Sequence, residues 1–211
     1  SGLPLVSANL VFRSGGDVAS DKPGLAGFMA GMLTEGTQTR NALQIADEVA
    51  YIGASLGASA GADSSSVSGS ALKKNFPALL DLMSDVALRP AFPVAEIERE
   101  RASRLAALVQ VRDDANATAG RVLQAALYGD QHPYGFSDLG TEAAIKAIKR
   151  EDLQALWGKI FVPNNAALVV AGNISGAELK TMAEKSFGAW KSGALPERKN
   201  TAPVSTKAKL V

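Results

Sequence analysis

The spacing of the strand-like segments most constrains what this chain can fold into. Val6–Phe12 has the β-branched and aromatic content of a strand and ends at Ser14-Gly15-Gly16-Asp17. Strand signals return only at Ser55–Ala62 and Ser65–Leu72, turning at Asp63, and then at Ala166–Gly172. Helical patterns fill the intervals in runs, so the order is β-α-α-β-β-α-α-α-α-β-α. That order lacks the regular βαβ repeat of a doubly wound parallel sheet. It predicts an α+β fold in which a mixed, largely antiparallel sheet is packed by helices.

The helices are read from 3.6-residue periodicity. After Pro23-Gly24, residues Leu25, Phe28, Met29, Met32 and Leu33 form one apolar stripe. A helix is expected over Leu25–Thr34, with Gly36 as its stop. Further helices are expected over Leu43–Ile52, Asn75–Leu88, Val94–Val111, Ala115–Leu127, Arg150–Ile160 and Gly176–Trp190. Ser175 suits the N-cap of the last, because its hydroxyl can accept from a free first-turn amide. Tyr128–Gly140 reads as a loop. Glu100 and Arg104, one turn apart, read as a pair on a solvated helix face. The unbroken apolar run of Ala166–Gly172 reads as a buried strand.

Residues 1–195 of the 211 in the chain thus read as one domain. Residues 196–206 have linker composition, and Lys207–Val211 reads as the opening strand of a following domain. The start at Ser1-Gly2, close to a strand and without an initiator Met, reads as a processed or excised end.

Composition removes several function classes. Lys plus Arg number 22 against 21 Asp plus Glu, without strong clustering, so nothing favours a nucleic acid or an anionic membrane as partner. No apolar run approaches the length of a membrane span. The absence of cysteine removes disulfides, thiolate metal sites and a cysteine nucleophile. It leaves the compartment open between periplasm and cytoplasm.

A catalytic zinc takes about three protein ligands, mostly histidine with a carboxylate. This chain has one histidine, His132. Glu96, Glu98 and Glu100 lie two apart on a helix, point away from one another and are interleaved with Arg99 and Arg101, which favours a solvated face. Ser137, Asp130 and Asp138 lie near His132 in sequence, but no G-x-S-x-G elbow accompanies them, so a loop or capping role outweighs a catalytic triad. Ser14–Asp17 and Gly57–Gly61 do not match a phosphate-binding loop. The unusual feature is the first helix, where Gly27, Ala30 and Gly31 form a side-chain-poor face. Two interior glycines cost about 2 kcal/mol relative to alanine, and close helix packing is the simplest reason for them.

The ordered set of segments resembles the pitrilysin/insulinase family of zinc metallopeptidases, the inverzincins. The resemblance rests on Arg13-Ser14-Gly15-Gly16, the run Gly24–Thr37, Gly53–Ala58, Leu88-Arg89-Pro90, Glu96–Arg101 and His132-Pro133-Tyr134-Gly135. The family's active half carries H-x-x-E-H on the first helix: two histidines hold zinc and the glutamate activates the bound water. Laid on this sequence, the histidine positions are Gly27 and Gly31, the glutamate position is Ala30, and the later zinc-binding glutamate falls at Ala107. A one-residue error there changes nothing, because Ala106 and Leu108 cannot ligate either.

The resemblance therefore implies the metallopeptidase α+β fold and the first domain of a zinc-free half. On that basis the chain has no catalytic, cofactor-binding or metal-binding residues, and zinc is expected in a homologous half, fused or separate. The implied role is to help enclose a chamber and hold a peptide substrate, with no activity from this chain alone. Two other readings stand beside it: a structural or assembly module of the same fold, and a hydrolase using His132.

Overall fold

The computed structural model describes residues 4–19, 21–129 and 132–197. The strand-like segments pair as one antiparallel sheet. Leu5–Phe12 (β1) lies between Ser65–Leu72 (β3) and Ala166–Gly172 (β4), and Ser55–Ala60 (β2) flanks β3, giving the order β2-β3-β1-β4. Leu10 lies opposite Val67 on one side and Leu168 on the other.

Alternation along the strands assigns the two faces. Val6, Ala8, Leu10 and Phe12 are buried with Val67 and Ala71, whereas Ser7 and Asn9 are exposed. On the outer face, Ser55 bonds Ser70 at 2.8 Å and Ser59 bonds Ser66 at 3.1 Å. Small hydroxyl pairs across strands keep that face polar without charge.

Helices Leu25–Met32 (α1) and Phe76–Leu88 (α3) cover the apolar face. The expected stripe of α1 is real: Phe28, Met29, Met32 and Leu33 are fully buried. Ala42–Tyr51 (α2) starts in a capping box between Asn41 and Gln44. Val94–Asp113 (α4) and Ala115–Tyr128 (α5) form a helical hairpin, with the Asp114 carboxylate accepting from the first amides of α5. Glu142–Ala147 (α6), Arg150–Ile160 (α7) and Gly176–Phe187 (α8) complete the set.

Several expectations need correction. Helix α6 lies outside the expected helices, because six residues capped by Thr141 are too few to show periodicity. Strand β2 ends at Ala60 rather than Ala62, since Gly61 N–H already bonds Ser64 O across the turn. The last helix stops at Phe187, with Trp190 beyond it. Strand β4 is at an edge of the sheet formed by the described residues, and Val169 is 57% exposed, so it is not a buried strand. Lys207–Val211 lies outside the described residues.

Candidate functional site

Helix α1 packs against β2 and α7, and its Gly27 and Gly31 approach α4 and the loop at Asp138. They border an open depression of about 430 Å3, together with Ala58–Ala60 of β2, Glu100, Arg104 and Ala107 of α4, and Asp138. Three of the four positions matched to the metallopeptidase motif therefore meet in space. The fourth, Ala30, is buried in the core and does not line the depression.

The glycines are needed for close approach. A Cβ at Gly27 would lie 2.6 Å from the Asp138 carbonyl oxygen and 3.4 Å from Arg104 Nη1. A Cβ at Gly31 would lie 3.0 Å from Glu100 Oε1 and 3.6 Å from Arg104 Nη2. Both distances to oxygen are shorter than ordinary carbon contacts. Close packing is therefore met, but the neighbour is an ion pair and a loop carbonyl as well as a helix.

Arg104 governs the electrostatics here. Its Nε donates to Glu100 Oε1 at 2.7 Å, and Nη1 donates to Asp138 O at 3.3 Å. The guanidinium also lies over the Phe28 ring, 5.3 Å from its centroid. Side-chain exposures of 14% for Arg104 and 24% for Glu100 correct the expectation of a solvated pair. Periodicity placed the two residues on one face of α4 but could not show that α1 lies against it. The Asp138 carboxyl is pushed above the usual carboxylate range by partial burial, with the Arg104 charge pulling the other way.

The other sequence candidates separate. Glu96 accepts from Arg99 at 2.7 Å, and Glu98 from Arg101 at 3.1 Å. With Glu100 paired to Arg104, each carboxylate of the run has its own arginine and the three do not converge. Among the described residues no group of three His, Asp or Glu could hold a metal ion. His132 is buried, and its Nδ1 accepts from Tyr134 N–H at 3.1 Å. Its ring stands 5.1 Å from Tyr128 and 5.3 Å from Tyr134, whose hydroxyl donates to the Asp63 carboxylate. These contacts tie the loop to the β2–β3 turn, a positioning role for the histidine. Asp130 lies outside the described residues.

Comparison with known proteins places this geometry in a family. The sequence pattern described as insulinase, peptidase family M16, matches residues 4–136, and that described as the peptidase M16 inactive domain matches residues 147–211. The chain belongs to peptidase family M16. An uncharacterized zinc protease of Mycobacterium leprae is 28% identical over 172 residues, covering 82% of this chain and 38% of that protein. A crystal structure of the peptidase M16 inactive domain from Pseudomonas fluorescens aligns with a TM-score of 0.85 at 26% identity, covering 92% of this chain and 47% of that one.

The periplasmic protease PqqL of Escherichia coli shares the fold at 17% identity and a TM-score of 0.83. This chain covers 23% of PqqL and 45% of the structure of its first half. The matched stretch is thus one part of larger proteins, and the chain spans less than half the length of the curated relatives it matches. Zinc is the metal in the name of the Mycobacterium leprae relative.

Proposed function

We propose that this chain is a non-catalytic unit of an M16 zinc metalloendopeptidase, which helps enclose the chamber and hold the peptide. A partner half bearing H-x-x-E-H, fused or separate, supplies the zinc and its activated water. One observation carries this reading: at the motif positions that border the depression, Gly27, Gly31 and Ala107 present hydrogen or methyl, and Arg104 fills the space beside them. Neither hydrogen nor methyl has a lone pair for zinc, and an arginine in a protein keeps its proton. A guanidinium where the metal would sit also repels a second cation. The residues present do not fit zinc, so no hydrolytic step is assigned to them.

The same surface suits a holding role. Strand β2 is at an edge of the described sheet, and Ala58–Ala60 brings its backbone to the rim of the depression. An extended peptide can add to such an edge through main-chain hydrogen bonds, which carry little sequence preference.

The test is to measure zinc content and peptide cleavage for this chain alone, for its H-x-x-E-H half alone, and for the two together. The expected result is no stoichiometric zinc and no cleavage from this chain, with cleavage by the assembled pair. Stoichiometric zinc and hydrolysis by this chain alone would overturn the proposal. Assembly without cleavage of any peptide would favour the structural-module reading instead.

A further inference from the structure

Arg104 is left with unused donors beside the depression. Its side chain is 14% exposed, and a guanidinium carries five N–H donors. Nε donates to Glu100 Oε1 at 2.7 Å and Nη1 to Asp138 O at a long 3.3 Å, while Nη2 has no acceptor among the described residues. Donors largely withdrawn from water are ordinarily bonded, because an unmade bond there costs the desolvation of the group.

The guanidinium is also held in place. Glu100 fixes Nε from one turn earlier on α4, and the Phe28 ring centroid lies 5.3 Å from the guanidinium carbon. The neighbouring backbone of α1 is bare: a Cβ at Gly31 would already touch Nη2, at 3.6 Å. A planar fork fixed in this way gives up little further freedom when an acceptor arrives.

Two observations select the acceptor. Ala58–Ala60, the end of the edge strand β2 in the described sheet, border the same depression, so an extended peptide added to that edge runs past Arg104. Glu100 and Asp138 line the depression too, so two acidic side chains already stand against one cation. A further carboxylate would meet net repulsion there, whereas a neutral carbonyl oxygen would not. A main-chain carbonyl of the peptide meets both conditions.

We infer that Arg104 is a peptide-binding residue, donating from Nη2 to a main-chain carbonyl oxygen of the peptide held beside β2. This rests on the proposed function, because it requires a peptide in the depression. Its substance is the residue that orients the peptide and the class of acceptor it takes, a contact with no side-chain preference of its own.

The experiment measures KM and kcat for a peptide cleaved by the assembled protein, the full parent of this chain with its H-x-x-E-H half. Each peptide bond away from the cleaved one is replaced in turn by a thioamide, whose sulfur is a weaker acceptor of unchanged charge. Arg104→Met should raise KM for the all-amide peptide about tenfold at unchanged kcat, as expected for a lost binding contact to a charged donor. It should also abolish the KM penalty of one thioamide position and leave the others as in the wild type. Arg104→Lys, which keeps the charge without the planar fork, should do the same and replaces the Met variant if that one does not fold. An arginine with only a structural role would weaken all the peptides alike. Retention of every thioamide penalty in a variant shown to be folded by circular dichroism would overturn the inference and leave the proposed function standing. Coupling of Arg104 to amidation of the peptide C-terminus, rather than to any thioamide, would make the acceptor a terminal carboxylate and overturn it as well. If the wild-type assembly binds and cleaves no peptide, the proposed function itself fails and the inference falls with it.

Discussion

Gly27 and Gly31 differ in what stands against them, and this separates their expected behaviour on substitution. At position 27 the obstacle is a backbone oxygen, which moves only with its loop. At position 31 it is the far end of the Glu100 side chain, which can turn away. Alanine gains about 1 kcal/mol of helix propensity at either site. Overpacking against a rigid neighbour costs about 1–3 kcal/mol. Gly27→Ala should therefore destabilise the fold, while Gly31→Ala should be neutral or slightly stabilising. Urea denaturation of the two variants checks this, and equal stabilities would contradict the geometry.

Asp85 is a second residue whose role only the structure shows. Its fully buried carboxylate accepts from Thr37 at 2.7 Å, Thr39 at 2.8 Å, Arg40 at 2.8 Å and Arg89 at 2.7 Å. Burial alone would raise its pKa, but the four donors outweigh that and hold it below the usual carboxylate range. A depressed carboxylate contributes stability that is complete above its unfolded pKa of about 3.9 and is lost as pH falls through the lower folded value. Asp85→Ala should cost about 3 kcal/mol, because it leaves buried donors and arginine charge without their acceptor. Acid denaturation should begin at a higher pH in Asp85→Asn than in the wild type, and coincident curves would count against this account.

Among the elements, α8 shows how local chemistry decides a helix start. Ser175 and Glu178 form a capping box, and Lys73 reaches the same carboxylate at 3.0 Å. Donation from the Ser175 backbone amide, then from Lys73 and the Ser175 hydroxyl, lowers the Glu178 pKa to about 2. The first turn of α8 should therefore stay capped to well below pH 4 and loosen as pH falls through about 2, which a carboxyl-detected NMR titration would follow. Ser175→Ala should cost about 1 kcal/mol in thermal or urea unfolding. The cap was legible in sequence because its partners are three residues apart. Strand β4 shows the opposite case. Alanine and valine along Ala166–Gly172 give the same apolar run whether one face or both are covered, and only the strand order puts it at an edge.

On the scale of the whole molecule, the M16 fold arranges one polar sheet face, one helical layer and a depression where the family's metal motif would lie. The helical layer leaves α5 without buried residues. That is hard to reconcile with an isolated unit and agrees with a chain that covers 23% to 47% of its longer relatives. Hydrogen exchange should report it: amides of α5 should exchange faster in this chain alone than in the assembled protein, with those of α3 alike in both. No added protection of α5 on assembly would argue against burial there.

The sequence by itself determined what is chemically possible: the apolar stripe of α1, the cap of α8, and the absence of any donor side chain at 27, 31 and 107. These depend on the identity of a residue or on neighbours within one helical turn. The tertiary structure alone decided that Ala30 faces the core, that Arg104 lies over Phe28 and fills the bare side of α1, and that β4 and α5 are left uncovered. Those outcomes join residues some 70 positions apart or more, or depend on which element reaches a surface, and packing settles both after local periodicity has been satisfied.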